Sequence, residues 1–151
     1  MRYYAITAGT SSYANTDPLP PVPQDLADVG AALDAVGYSS AVTLTDPRTD
    51  ELRRALDTWV NSDIRADDDA LILYYTGHGE RDSRRHYLLC ADSVPGQLAD
   101  TALATEDVVR ILTDGGVRRL LLIVDTCYAG QGTADALSPL NPHTDHDGLL
   151  A

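Results

Sequence analysis

The sequence predicts an α/β fold, a doubly wound and mostly parallel sheet of four main strands with helices on both faces. Three observations predict it. Apolar, β-branched runs at residues 2–9, 40–45, 70–76 and 118–125 alternate with segments of helical periodicity, in the order β-α-β-α-β-(excursion)-α-β. The main runs are largely continuous in hydrophobicity, as expected of strands buried on both faces. Gly, Pro or capping residues bound the helix-like segments.

The first run, Arg-Tyr-Tyr-Ala-Ile-Thr-Ala-Gly, ends in Gly9-Thr10-Ser11-Ser12 and reads as a strand entering a loop. Asp17-Pro-Leu-Pro-Pro-Val-Pro23 cannot be regular structure, and it hands over to a helix at about 24–36 with Leu26, Val29, Leu33 and Val36 on one face, stopped by Gly37. Strand two follows at 40–45 and is closed by Asp46-Pro47. A second helix has Thr49 as its expected N-cap, Glu51 in its first turn, and Leu52, Ala55, Leu56, Trp59 and Val60 at helical spacing. Asp67-Asp68-Asp69 reads as a solvated turn before strand three, 70–76. Within the excursion, Tyr87-Leu-Leu-Cys90 suggests a short hairpin or extension. Thr105 is the expected cap of a third helix carrying Val108, Val109, Ile111 and Leu112, which Gly115-Gly116 ends before strand four, 118–125. Residues 1–132 form one expected domain, and the small, polar, Pro-containing stretch 133–151 reads as a linker or tail.

A chain of 151 residues suffices for one such domain. Its net charge of −12 argues against binding nucleic acid or an anionic membrane and favours a cationic partner. All the basic residues are Arg. Two cysteines, Cys90 and Cys127, make neither a disulfide framework nor a paired-Cys zinc site, which fits a reducing compartment. No signal peptide and no membrane-spanning run is evident, so a soluble, cytoplasmic protein is expected.

Chemistry concentrates at two strand ends. His78 closes the run Ala-Leu-Ile-Leu-Tyr-Tyr-Thr-Gly-His-Gly (70–79), and Cys127 closes Leu-Leu-Leu-Ile-Val-Asp-Thr-Cys-Tyr-Ala-Gly (120–130). In a parallel sheet both ends lie on one edge, where open α/β sheets present reactive groups. A thiol near neutral pH is only slightly ionised, so a neighbouring imidazole that takes its proton and later returns it to a leaving amine is what a cysteine hydrolase requires. His78 has Gly on both sides and no apolar neighbour in sequence to pack it, whereas Cys90, within Tyr-Leu-Leu-Cys-Ala, reads as a small buried hydrophobe. His86, His143 and His146 have no comparable setting and are read as surface residues.

The motifs Tyr74-Tyr75-Thr76-Gly77-His78-Gly79-Glu80 and Asp125-Thr126-Cys127-Tyr128-Ala129-Gly130 resemble those of the caspase-like cysteine peptidases, the clan of caspases, paracaspases and metacaspases, and especially its metacaspase-like bacterial branch. The resemblance covers about residues 2–130. His78 precedes Cys127 by 49 residues (127 − 78), and a histidine about 50 residues upstream is a general property of caspases, so this spacing belongs to the resemblance. It implies a caspase-like fold, Cys127 as nucleophile, His78 as base, and the N–H groups of Gly79 and Cys127 as oxyanion donors. Animal caspases hold Gln two residues before the nucleophile, whereas Asp125 stands there in this chain. In the metacaspase-like branch that Asp lines the S1 pocket with a second Asp at the start of the first helix, matched here by Asp25, with Asp28 able to substitute. Two carboxylates in one pocket select Arg or Lys at P1 of a protein substrate.

The resemblance also implies a sheet of six strands, so a small-subunit chain is the expected partner, covering an otherwise unpaired hydrophobic edge of strand four. Arg81, Arg84 and Arg85 are candidate processing sites, and a role in stress or defence follows from the relatives. No cofactor and no resident metal are expected. Calcium is the one candidate, because many metacaspases need it, but Asp92, Glu106, Asp107 and Asp135 lack EF-hand spacing. A catalytically silent interaction domain is the alternative, and its signature would be a lost Cys or His. A phosphate site at Gly9-Thr-Ser-Ser lacks both G-x-G-x-x-G and a P-loop Lys.

Overall fold

The computed structural model describes residues 1–126. Four parallel strands, β1 (Tyr3–Gly9), β2 (Ser39–Thr45), β3 (Ala70–Thr76) and β7 (Arg119–Asp125), form one sheet in the order β2-β1-β3-β7. Helix α1 (Val22–Ala35) carries the chain from β1 to β2 in one direction, and α2 (Thr49–Val60) carries it back past β1 to β3. Because parallel crossovers are right-handed, that reversal places α1 on one face and α2 with α4 (Thr105–Asp114) on the other. The fold is mixed α/β with a four-stranded parallel sheet, as the sequence predicts.

Most of the apolar surface is on the α2/α4 face. Tyr4, Ile6, Ala8, Leu71, Leu73 and Tyr75 meet Leu52, Leu56, Trp59, Val108 and Leu112 there, with Leu120, Leu122 and Val124 of β7 packed alongside. Leu56 and Leu112 are wholly buried, and each such side chain stabilises the fold by about 1.5–3 kcal/mol. The opposite face holds a smaller cluster of Val22, Leu26 and Tyr74 under α1. On that same face β7 exposes Leu121 (53%) and Ile123 (38%), so among the described residues nothing covers this end of the sheet.

The excursion is more elaborate than a hairpin. Strands β4 (Gly79–Arg81), β5 (His86–Leu88) and β6 (Leu103–Ala104) make a second, antiparallel sheet, with the short helix α3 (Leu98–Thr101) before β6. Its strands are two or three residues long, too short for a period to be visible in sequence.

Helix starts differ from expectation because tertiary contacts took the capping groups. Thr49 is the first helical residue of α2 rather than its cap, and its N–H and hydroxyl both donate to Asp92 Oδ1, at 2.8 and 3.1 Å. Thr105 likewise lies inside α4, its hydroxyl turned to a histidine. Helix α1 starts two residues early, at Val22, because Pro23 is tolerated in a first turn whose N–H groups have no helical acceptor. Asp69 is not solvated but buried, accepting from the N–H groups of Arg2 (2.7 Å) and Ala66 (2.8 Å), and it ties down the start of β1.

Candidate active site

The four parallel strands end level. Gly9 lies opposite both Thr45 and Thr76, and Thr76 lies opposite Asp125. The β3–β7 register is offset by 49 residues throughout, as in Thr76↔Asp125. In sequence, His78 and Cys127 each stand two residues past a matched strand end. Cys127 itself lies outside the described residues, which stop at Thr126. The order in which strands are added to the sheet reverses between β1 and β3, and the crevice outside such a switch point is where open α/β sheets bind ligands.

His78 is fixed by three elements. Gly77 leaves β3 with φ +156° and donates its N–H to the Asp125 carbonyl at 3.3 Å, joining the two strand ends. The His78 N–H donates to Tyr13 Oη at 2.8 Å, and the His78 carbonyl accepts from the Leu89 N–H at 3.1 Å. Its ring packs against that of Tyr13, centroids 4.7 Å apart. Nε2 lies 2.8 Å from the backbone carbonyl of Asp17. A carbonyl only accepts, so Nε2 carries a proton, and in the neutral ring Nδ1 holds the lone pair. A base oriented by a third group is the general logic of nucleophile activation. Sequence reasoning missed Asp17 and Tyr13: a backbone carbonyl leaves no side-chain signature, and Tyr13 sits in an irregular loop.

Gly79 pairs with Leu88 between two hydrogen-bonded positions of the β4–β5 ladder. By the alternation of antiparallel bonding, its N–H points away from β5 and is available to a ligand.

Asp125 meets the Tyr74 hydroxyl, and the charge of Asp25 acts on the same phenol. Tyr74 Oη donates to Asp125 Oδ2 at 3.4 Å. Burial raises the Tyr74 phenol above its ordinary value, a hydrogen bond with Thr76 opposes this, and the charges of Asp125 and Asp25 raise it further. Asp25 is half-buried in the first turn of α1. Asp28, one turn on, is exposed and accepts from Gln24 Nε2 at 2.8 Å, away from this group.

His86 is not a surface residue. It is 1% exposed on β5, with Nδ1 2.7 Å from Thr105 Oγ1 and Nε2 3.3 Å from Thr126 Oγ1. An imidazole with polar groups at both ends can be buried where the bare sequence suggested exposure. Through Thr126 it reaches the residue just before Cys127. His143 and His146 lie outside the described residues, as does the expected tail 133–151.

Other expected sites meet competing partners. The N–H groups of Ser11 and Ser12, which a phosphate would need, both donate to Asp46 Oδ1, at 2.7 and 2.9 Å. Asp92 is held by Thr49 and Arg48, while Glu106 and Asp107 flank Arg85 at 2.9 and 3.5 Å. These carboxylates do not converge, no His/Cys/Asp/Glu group among the described residues suits a metal, and Asp135 lies outside them. Arg84 and Arg85 sit in a closed turn, their N–H groups both 2.8 Å from Asp82 Oδ1. Cys90 is buried as expected, and burial pushes its thiol up to about 12.

No helix among the described residues is long and apolar enough to cross a membrane. No curated protein matches the chain. The family model of the caspase domain matches residues 2–150, nearly the whole sequence. With the four-stranded parallel sheet and the strand-end histidine in place, the chain belongs to the caspase-domain family of cysteine peptidases.

Proposed function

We propose that the chain is the large-subunit part of a metacaspase-like endopeptidase, in which Cys127 attacks the peptide carbonyl and His78 takes the thiol proton and returns it to the leaving amine. The N–H groups of Gly79 and Cys127 receive the oxyanion. Asp25 and Asp125 bind Arg or Lys at P1.

The observation that supports this reading is the Tyr74 hydroxyl held by Asp125 and influenced by the charge of Asp25, together with a His78 whose Nε2 meets the Asp17 carbonyl. Two carboxylates acting on one site favour a cationic group, and the fork of Arg can satisfy both geometry and charge. A fluorogenic panel tests it: peptides with Arg or Lys at P1 turn over, those with Asp do not, and Cys127→Ala abolishes turnover. Preference for Asp would sink the proposal. Mapping cleaved ends across a proteome with wild type and Cys127→Ala then identifies the protein substrate and tests a cytoplasmic role in stress or defence.

A small-subunit chain completes the sheet at β7. Support comes from Leu121 and Ile123, exposed on a strand that is an edge among the described residues. Sedimentation of the isolated chain is expected to show self-association that Leu121→Arg with Ile123→Arg relieves; a monomeric, fully active chain is the opposite result. Regulation by proteolytic processing belongs to the same proposal, but the closed turn at Arg84 and Arg85 is a poor site for it, because peptidases bind extended segments.

A further inference from the structure

We infer that Tyr13 is a positioning residue for the base: it holds the backbone and ring of His78 so that the imidazole presents Nδ1 to the nucleophile. The inference rests on the Cys127–His78 reading above and adds to it a residue from the loop after β1.

One side chain makes both holding contacts. The Tyr13 hydroxyl accepts the His78 N–H at 2.8 Å, and the Tyr13 ring lies against the imidazole with centroids 4.7 Å apart and planes inclined at 53°. Asp17 holds the imidazole only at Nε2. A ring bound at one nitrogen pivots about that bond, and an aromatic wall against its face removes the pivot. The neighbouring glycine makes room for this arrangement, since a Cβ on Gly77 would lie 2.7 Å from Tyr13 Oη.

The hydroxyl is in turn anchored from behind. Tyr13 Oη sits next to the hydroxyls of Thr10 and Tyr75, which hydrogen-bond each other at 3.1 Å. Tyr75 Oη donates to the Leu89 carbonyl, and the Leu89 N–H returns to the His78 carbonyl at 3.1 Å. This cluster therefore touches His78 at its N–H through Tyr13 and at its carbonyl through Leu89, and Thr10 and Tyr75 within it are buried. Burial pushes the Tyr13 phenol up to about 12, so it keeps its proton wherever cysteine chemistry runs. Buried hydroxyls with satisfied hydrogen bonds hold a single geometry, and they back the Tyr13 hydroxyl.

The test is the pH profile of Cys127 alkylation by iodoacetamide in the full chain, read by peptide mass spectrometry and paired with kcat and KM on an Arg-P1 peptide. Cys90 does not compete, because its thiol is buried. Tyr13→Phe, which keeps the ring and loses the acceptor, is expected to lower both kcat and the alkylation rate near pH 6.5 about tenfold with KM unchanged, and Tyr13→Leu to lower them further. A merely structural role would lower the melting temperature and leave the pH profile in place. A wild-type profile and kcat in Tyr13→Phe overturn the inference alone. If His78→Ala also leaves the profile unmoved, the Cys–His reading fails and the inference with it. Independently of any variant, the imidazole ¹⁵N shifts of His78 are expected to report the Nε2–H tautomer; the Nδ1–H tautomer would overturn the positioning role.

Discussion

His86 illustrates how a side chain's chemistry depends on what lies at both of its ends. A histidine directly after Arg84-Arg85 reads as exposed, yet Thr105 and Thr126 meet its two ring nitrogens. The pairing explains why Thr105 does not cap its helix: the hydroxyl is committed to Nδ1. His86→Leu fills a similar volume but removes that imidazole from both hydroxyls. The expected cost is about 1–3 kcal/mol of stability by denaturant unfolding, and no measurable change would show that the pairing contributes nothing net. His78 and Tyr13 make the complementary case, in which a conspicuous catalytic-looking residue gets its orientation from one the sequence does not advertise.

At the level of elements, Gly9 decides how closely α1 approaches the sheet. A Cβ there would stand 2.8 Å from Val22 Cγ1, 3.0 Å from Leu26 Cδ1 and 3.0 Å from Thr76 Cγ2. The contacts are with branched side chains in a packed cluster, so the helix rather than a flexible tip has to move. Asp25 is on that helix, one residue before Leu26. Gly9→Ala is therefore expected to cost about 1–3 kcal/mol and to weaken discrimination between Arg and uncharged P1 residues. Retention of full stability and selectivity would mean that α1 adapts without shifting Asp25. The same closeness explains why a glycine ends β1, a strand otherwise rich in larger side chains.

For the whole molecule, buried titratable groups set opposite limits of pH. The Cys90 thiol rises from 9.0 to about 12 and the Tyr13 phenol from 10.0 to about 12, in each case chiefly through burial. Both are neutral in the fold and ionise more readily when unfolded. Above the unfolded values the unfolded chain binds fewer protons, so their contribution is complete below about pH 9 and is lost as pH climbs toward 12. Asp69 acts with the other sign. The Ala66 amide above all, then Arg2, holds its carboxyl below 3.8 against the opposing effect of burial, so its contribution is present above that value and disappears as pH falls through the lowered one. Melting temperature is expected to be flat between these limits and to fall on both sides, with Cys90→Ala flattening the alkaline limb. A melting temperature that rises from pH 9 to 11 would contradict this.

Strand runs and helical periods were enough to determine the parallel α/β layout, because β1, β3 and β7 are seven-residue, largely apolar runs, β2 is more polar but carries β-branched residues, and each crossover helix is bounded by Gly or Pro. His78 stood out in the sequence for a related reason: a histidine at a strand end between two glycines has few packing roles in the local chain, whereas Cys127 was read from its motif and lies outside the described residues. The two-strand register, with its 49-residue offset, then gives that sequence spacing a physical meaning. Only the tertiary structure decided the rest. It made Thr49 and Thr105 partners of Asp92 and His86 instead of caps, buried Asp69, built a second sheet from strands too short to show a period, and brought Asp17 and Tyr13 to His78. Each of these depends on a group distant in sequence that offers a better hydrogen-bond partner or a closer packing surface than the local chain, and local pattern carries no record of such groups.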